Sequence, residues 1–185
     1  HLGLEAPCGE PSTYPVLLGE STFAEALVET GTPRLSLVPS NIDLSGAELE
    51  LASALGRETL LRDAIGAWRG DGDPPADYLL FDCPPSLGLL SVNGLVAARE
   101  VHLIVQTEFL ALQGMGKLVD IVQLVRQRMN PDLAISGILP CLYDSRLRLA
   151  REVLAEIRNY FPGEVFKTPI RSNVKLAEAP SFGQH

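Results

Sequence analysis

The chain has 185 residues, of which 46% are apolar, and this composition supports a sizeable core and argues against a disordered chain. Its 15 basic and 23 acidic residues give a net charge of −8, which argues against a uniformly basic surface for nucleic acid. The three cysteines stand far apart and fit neither a disulfide scaffold nor a zinc site, and no apolar run approaches the roughly 18 residues of a membrane span. We therefore expect a cytoplasmic protein. Because the chain begins with His1, we expect it to be part of a longer one.

The charge is distributed unevenly along the chain. Residues 1–116 contain 5 basic and 16 acidic residues, a balance of −11, whereas residues 117–185 contain 10 basic and 7 acidic residues, a balance of +3. Solvated helix faces would explain this difference, and so would a local cationic surface that meets phosphates.

Capping and turn signals divide the first half of the chain. Thr22 and Glu25 have the spacing of a capping box and predict a short helix, and residues 35–39 (LSLVP) predict a short strand. A second capping box, Ser45 with Glu48, predicts a helix that continues as far as Trp68. The glycines and prolines of residues 70–75 then predict a loop.

The second half alternates short apolar runs with helical patterns. The runs are 78–81 (YLLF), 101–105 (VHLIV), 135–139 (ISGIL) and 165–170, and the helical patterns are 112–129 and 147–161. The apolar stripes of the two helices are Met115, Leu118, Val119, Val122 and Val125 in the first and Leu149, Val153, Ile157 and Tyr160 in the second. Strands that are apolar throughout are typical of a parallel sheet covered by helices, so the prediction is an α/β, doubly wound fold.

Asp82 follows the first of these runs, at the sheet edge where ligands bind in open α/β sheets. An acidic residue that ends a buried strand is the Walker B arrangement, in which the carboxylate holds Mg²⁺, often through water. An aspartate that only caps a helix or turn would give the same short pattern. After it, the prolines Pro84 and Pro85 prevent a helix and direct the loop toward Gly88.

The segment 79–98 (LLFDCPPSLGLLSVNGLVAA) resembles the Walker B and switch II region of the ParA/Soj family of chromosome and plasmid partition ATPases. Similar segments occur in family order at 36–51 (SLVPSNIDLSGAELEL), 106–118 (QTEFLALQGMGKL), 142–147 (LYDSRL) and 173–183 (NVKLAEAPSFG). The resemblance covers residues 14–183. It implies a single domain over residues 1–185 with a P-loop NTPase-like fold that is incomplete at both ends.

The resemblance also assigns residues to roles. Asp82 matches the family's magnesium aspartate, and Pro84, Pro85 and Gly88 match the switch that responds to the γ-phosphate. Asn173 matches an asparagine near the adenine base, although Ile170-Arg171-Ser172-Asn173 stands here in place of Ile-Pro-Arg-Asn. Arg146 falls where some members have an arginine used on DNA. The candidates for a basic DNA-binding face are Arg146, Arg148, Arg151, Arg171 and Lys175.

The family's glycine-rich phosphate loop, with its two lysines, and its water-positioning aspartate have no counterpart in the 185 residues. We therefore expect no useful ATP affinity or turnover from this polypeptide alone, and assign it no catalytic residue. For the full-length protein the resemblance implies ATP with Mg²⁺, a nucleotide-dependent homodimer, non-specific DNA on the nucleoid, and a ParB-like centromere-binding partner. The alternatives are a non-catalytic interaction module derived from the fold, or a MinD-like cell-division ATPase, whose C-terminal membrane helix is not found here.

Three other residues invite functional interpretations that we do not favour. Cys83 is expected to be a packed small residue, since no basic neighbour activates its thiol. His102 has no second ligand at i+4 and is expected to be a tolerated core or edge histidine. Trp68 is expected to close the edge of the domain.

Overall fold

The computed structural model describes residues 10–70 and 76–179, without the side chains of residues 109–113. The chain forms two compact units, the first ending at Ala97 and the second running from Ala98 to Ala179. Within the described residues, no helix is both long enough and apolar enough to cross a membrane. Part of the predicted loop 70–75 lies outside the described residues.

The first unit is built from short helices and one small hairpin. Its elements are α1 (Thr13–Leu18), β1 (Val28–Glu29), β2 (Ser36–Leu37), α2 (Ala47–Glu50), α3 (Leu60–Arg69) and α4 (Leu89–Ala97), and 3₁₀ turns flank α2 at Ile42–Gly46 and Leu51–Ser53. Strands β1 and β2 pair antiparallel. The predicted strand at 35–39 is therefore present, though shorter than expected.

Two apolar clusters hold this unit together. Phe23 and Ile65 are buried in the first, where the half-buried Trp68 packs with its ring centroid 4.8 Å from that of Phe23. The second is built on Leu17 of α1 and Leu51. The tryptophan is thus part of the packing of α3, as its size and apolar character suggest.

The two predicted capping boxes have different outcomes. Thr22 and Glu25 form theirs in full: the Thr22 N–H donates to Glu25 Oε2 at 2.8 Å, and the Glu25 N–H donates to Thr22 Oγ1 at 3.2 Å. The chain then makes only a turn where a helix was predicted. The prediction for Ser45 and Glu48 is wrong, because the Ser45 hydroxyl donates to the Ile42 carbonyl instead.

The single helix predicted from Ser45 to Trp68 is also wrong. It divides into α2 and α3, and between them Gly56 adopts φ +65°, a left-handed conformation that ends a helical run. Leu49 and Leu55, which fall within the predicted helix, are almost fully exposed. These leucines therefore do not lie on a buried face of one continuous helix.

The second unit contains the parallel sheet and its covering helices. Its elements are β3 (Glu100–Gln106), α5 (Phe109–Arg128), β4 (Ala134–Cys141), α6 (Arg148–Tyr160) and α7 (Val174–Glu178). Strands β3 and β4 pair in parallel, with a register shift between Val101 and His102. The α/β class with parallel strands and flanking helices is confirmed.

The core of the second unit lies between the sheet and helices α5 and α6. Leu103, Met115 and Ile157 are among its buried residues, and Leu118 and Val119 pack against it. The stripe predicted for α5 is therefore confirmed. In α6 the prediction is right for Val153 and Ile157 and wrong for Leu149 and Tyr160, which are exposed, because Ala150 and Leu154 take the buried positions.

The last predicted strand, residues 165–170, follows β4 only at its two ends. Val165 forms an isolated parallel bridge with Ile138, and the Ile170 N–H donates to the Pro140 carbonyl at 2.8 Å. The residues between these contacts do not continue the ladder. Phe166 covers Gly137 of β4, where a side chain on the glycine would collide with the ring, and His102 lies beside it with its ring centroid 5.6 Å from that of Phe166.

The predicted strand 78–81 is not paired into a sheet. Its side chains nevertheless alternate as in a strand: Leu79 and Phe81 pack against the Phe23 cluster, whereas Tyr78 and Leu80 are 87% and 91% exposed. The physical reason is that a strand needs a neighbour for its backbone hydrogen bonds, and no described residue of the first unit supplies one.

Candidate functional site

Asp82 follows the alternating segment 78–81 in the first unit. Because Phe81 is packed into the apolar cluster, the next side chain is directed away from it, and Asp82 is exposed. The packing of Leu79 and Phe81 thus fixes the backbone that carries the carboxylate.

The residues around Asp82 fit a magnesium ion only if water and nucleotide phosphates supply most of its ligands. Among the described residues there is no group of three or more histidines, cysteines or acids that could enclose a metal ion. Mg²⁺ commonly keeps several waters and is held by one or two carboxylates together with the phosphates of a nucleotide. A single exposed aspartate is compatible with that kind of site and not with a protein cage.

The loop after Asp82 is fastened to helix α4 by Ser91. The Ser91 hydroxyl is buried and lies 2.5 Å from the Ser86 carbonyl oxygen and 3.2 Å from that of Pro84, so its one proton is shared between them. The predicted switch residues Pro84 and Pro85 are exposed on this loop. A movement of the loop therefore has to break or exchange the hydrogen bonds of Ser91.

Glu48 lies against the other end of the same loop. Its carboxylate accepts from the Leu90 N–H at 3.4 Å, and it occupies the space that a side chain at position 88 would need. Gly88 is thus required by close approach of a carboxylate to the first turn of α4, where a negative charge is favourable. The sequence identified Gly88 but assigned Glu48 to a different helix start.

Cys83 is an exposed residue whose thiol lies against α4. Its Sγ lies so close to α4 that a Cβ added at Gly94 would be 2.7 Å from it. Burial, with a smaller contribution from the charge of Asp82, raises the pKa of the Cys83 thiol. A raised thiol pKa disfavours the nucleophilic thiolate. The expectation of a packed residue is met only at the Sγ, because the residue itself is exposed.

Asn93 is a structural residue that the sequence analysis did not single out. It is 1% exposed in α4, and its Oδ1 accepts from the Leu61 N–H at 3.1 Å, near the start of α3. Its Nδ2 donates to the carbonyls of Arg57 at 2.7 Å and Leu89 at 3.1 Å. Since Thr59, the N-cap residue of α3, provides no side-chain cap, Asn93 provides it from another helix.

The remaining predicted residues belong to the second unit, where two segments meet beyond the end of β4. Leu142 has φ +51°, an uncommon conformation for a branched residue, and turns the chain out of the strand. Tyr143 then forms an isolated parallel bridge with Arg171, its N–H donating to the Ile170 carbonyl at 3.0 Å and its carbonyl accepting from the Ser172 N–H at 3.3 Å. The turn that carries Arg146 is therefore attached to the segment that carries Arg171 and Asn173.

Three of the predicted cationic side chains have partners close by in the sequence. Arg146 pairs with Asp144 at 2.7 Å, and Arg148 pairs with Glu152 at 2.6 Å one turn along α6. Arg151 donates through Nη1 to the Ser145 carbonyl at 2.7 Å. All three residues are exposed.

Asn173 serves as the N-cap of α7. Its Oδ1 accepts from the Lys175 N–H at 2.9 Å, and Asn173, Lys175 and Arg171 are all exposed. An amide oxygen has two lone pairs, so this bond leaves the side chain with further hydrogen-bonding capacity. The predicted adenine contact and the predicted basic face thus lie on neighbouring segments of one unit, and Asp82 with the switch loop lies on the other.

Comparison with known proteins gives consistent results. The family model AAA_31, an AAA domain, matches residues 2–135. The chain is 40% identical over 183 residues to the chromosome partitioning protein ParA of Caulobacter vibrioides NA1000, covering 99% of this chain and 68% of that protein. It is 39% identical over 183 residues to the sporulation initiation inhibitor protein Soj of Bacillus subtilis 168, covering 99% of this chain and 71% of that protein.

A solved structure has a similar sequence identity to this chain. It is the cobyrinic acid a,c-diamide synthase from Mycobacterium smegmatis with bound ADP and magnesium, 41% identical, with a TM-score of 0.81 over 94% of this chain and 69% of that one. The same protein has also been solved with a bound ATP analog and magnesium.

Proposed function

Because this chain belongs to the AAA_31 family and to the ParA/Soj group of partition proteins, we propose that it is part of an ATP-dependent protein that segregates chromosomal or plasmid DNA. In this proposal nucleotide binding produces a homodimer that binds DNA without sequence preference on the nucleoid, and a ParB-like protein stimulates hydrolysis. The observation that carries the proposal is identity of about 40% over nearly the whole chain to the chromosome partitioning protein ParA of Caulobacter vibrioides.

The first unit is proposed to contribute the magnesium side of the nucleotide site. Asp82 would hold the ion through water, and the ion would neutralise charge on the phosphates. The loop from Pro84 to Gly88 would respond to the γ-phosphate, and Ser91 with Glu48 would set its resting position. The nucleotide and magnesium bound to the M. smegmatis relative support this assignment.

The second unit is proposed to contribute the DNA-binding face. Residues 98–179 contain 11 basic and 9 acidic residues, a balance of +2 in a chain whose total is −8. Exposed arginines bind phosphates in pairs of parallel hydrogen bonds, and their contacts release counterions from DNA. The candidates remain Arg146, Arg148, Arg151, Arg171 and Lys175.

The basic face belongs to a single copy of the chain, so its contact with DNA is tested without nucleotide or dimer, by fluorescence anisotropy with a labelled duplex of arbitrary sequence and the 185-residue chain. We expect affinity to fall steeply as salt rises from about 50 to about 200 mM, and the double variant Arg146→Ala, Arg148→Ala to reduce the salt slope by about 2. Arg62→Ala is the matched control, since Arg62 is an exposed arginine of the first unit with its own acidic neighbour, Asp63, at 3.3 Å. A flat salt response, or binding unchanged in the double variant, would contradict the proposed face and favour an interaction module without DNA contact.

Nucleotide binding is tested by calorimetric titration of the same chain with ATP and Mg²⁺. The 185 residues contain no glycine-rich phosphate loop, whose backbone N–H groups and lysine provide most of the phosphate binding. We therefore expect no measurable heat of binding. Tight binding would show that another segment of this chain takes over the role of that loop.

A further inference from the structure

Arg146 is held by the carboxylate of a residue only two positions before it. Its backbone N–H donates to Asp144 Oδ1 at 2.9 Å, its Nε donates to the same oxygen at 3.0 Å, and its Nη2 donates to Oδ2 at 2.7 Å. The guanidinium and the carboxylate therefore meet side-on in a two-point contact. Such a contact fixes the plane of the guanidinium, which a single hydrogen bond does not.

The turn around this pair is itself fixed. The Leu147 N–H donates to the Asp144 carbonyl at 3.1 Å, and Arg151 Nη1 donates to the Ser145 carbonyl at 2.7 Å. Tyr143, the residue before Asp144, forms a parallel backbone bridge with Arg171, which lies in the segment before α7. Asp144 is thus placed by backbone contacts that do not depend on the Arg146 side chain.

The two partners differ in their exposure to solvent. The Asp144 side chain is 24% exposed, whereas the Arg146 side chain is 88% exposed. Hydrogen bonding to Arg146 lowers the pKa of the Asp144 carboxyl to about 2, so the carboxylate is charged at neutral pH. The carboxylate therefore lies on the protein side of the pair and the guanidinium on the solvent side.

One edge of the guanidinium remains for another ligand. A guanidinium has five N–H groups, and the contact with Asp144 uses the Nε–H and one N–H of Nη2. Within the described part of the chain, the other three N–H groups of Arg146 donate to no residue. The two terminal nitrogens present them as a fork, which matches two oxygens of a phosphate.

We propose that Asp144 is a positioning residue for DNA binding, which holds Arg146 so that the outer edge of its guanidinium receives a backbone phosphate. The inference rests on the proposed function, since it names how one residue of the proposed DNA-binding face is oriented. Asp144 itself does not touch DNA. If Asp144 acted only through its charge, removing it would tighten DNA binding, because a carboxylate repels a nearby phosphate. If it positions Arg146, removing it weakens DNA binding. The direction of the change in affinity therefore distinguishes the two roles.

The test compares Asp144→Asn with Glu152→Gln in the anisotropy assay with the same labelled duplex. Both variants remove one negative charge beside an arginine of this surface, but Glu152 contacts Arg148 through one oxygen only. We expect Asp144→Asn to weaken binding by at least about threefold, and Glu152→Gln to leave it unchanged or tighter. Arg146→Lys, which keeps the charge and loses the fork, should weaken binding with the same salt slope as the unchanged chain.

The possible outcomes separate this inference from the proposed function. If Arg146→Ala weakens binding but Asp144→Asn tightens it to the level of Glu152→Gln, the DNA-binding face stands and the positioning role is refuted. If Arg146→Ala has no effect, the face itself fails and the inference fails with it.

A merely structural effect is recognised from a double variant. In an Arg146→Ala background, Asp144→Asn should cause no further loss of affinity, because there is no guanidinium left to orient. An equal loss in that background would refute the positioning role. Circular dichroism melting of each variant shows whether the fold is retained, and Arg146→Lys tests the same contact if Asp144→Asn does not fold.

Discussion

Replacing Asn93 tests whether a cap supplied by another helix stabilises the first unit. The side chain makes three hydrogen bonds at an almost completely buried position, and Asn93→Ala removes all of them. Loss of the cap on Leu61 costs about 1 kcal/mol, and loss of the bond to the Arg57 carbonyl costs a similar amount of about 1 kcal/mol. The bond within α4 and the small cavity bring the expected decrease in the free energy of unfolding to about 3 kcal/mol.

The change is measured by urea unfolding followed through the fluorescence of Trp68. This is the only tryptophan of the chain and lies in α3, the helix that Asn93 caps. With a denaturant slope of about 2 kcal/mol per molar urea, Asn93→Ala should lower the midpoint by about 1.5 M.

Two further variants serve as controls for the loss of stability expected in Asn93→Ala. Ser91→Ala, in the same helix, removes one hydroxyl proton donor and should cost only about 1 kcal/mol. Asn93→Asp keeps the shape and the acceptor for Leu61 but places a carboxylate against two carbonyl oxygens, so at neutral pH it should destabilise at least as much as alanine. A midpoint for Asn93→Ala equal to that of Ser91→Ala would refute the additive contribution of the three hydrogen bonds.

Two other predictions concern Tyr14 and Gly88. The hydrogen bond from the Tyr14 hydroxyl to Glu50, 2.7 Å long, raises the pKa of Tyr14 from 10.0 to about 12, so its contribution to stability is complete below pH 10 and is lost as the pH rises through 12. In an ultraviolet titration Glu50→Ala should move the highest tyrosine transition down toward pH 10, and an unchanged titration would show that this hydrogen bond is not formed in solution. Gly88→Ala should displace the Glu48 carboxylate from the first turn of α4, and Glu48→Ala alone should cost about 1 kcal/mol of stability. The combined variant should then cost less than the sum of the two single losses in urea unfolding, whereas strict additivity would contradict the close contact.

The elements that could be predicted from the sequence are those whose pattern is long and local. Helices α5 and α6 have their apolar residues at helical spacing, strands β3 and β4 are continuous apolar runs, and each element was located within a few residues. Their contacts on the core face require only the right period. The exceptions in α6 are Leu149 and Tyr160, which are exposed. They show that apolar spacing can misplace the buried face of a helix by one position along the sequence.

What could not be predicted depends on partners distant in the chain. Glu48 has the spacing of a local capping box, but its carboxylate contacts α4, more than forty residues later. Asn93 caps a helix that begins 33 residues before it, and nothing in its own neighbourhood indicates this. Segment 78–81 has the composition of a buried strand, yet pairing is a property of two segments rather than one.

The candidate site divides in the same way. Asp82 is singled out as the acidic residue after an apolar run and Gly88 by the family resemblance of the switch segment, and their roles in a nucleotide site stay predictions. Arg146 and Asp144 are only two residues apart, but the sequence does not indicate that their side chains meet side-on through two hydrogen bonds. Its two-point geometry follows from the turn, which is fixed by bonds to a segment near residue 170.

The unpaired segment at 78–81 has a practical consequence for the behaviour of this chain in solution. Leu79 and Phe81 lie on its packed side, while Tyr78 and Leu80 face solvent. No described strand of the first unit pairs with the backbone N–H and C=O groups of this segment. Apolar side chains beside open backbone donors and acceptors form a template on which a second copy can add, as in edge-to-edge aggregation. Segment 78–81 is therefore an edge of the first unit to which a second copy can add a strand, and Tyr78 and Leu80 contribute nothing to the core.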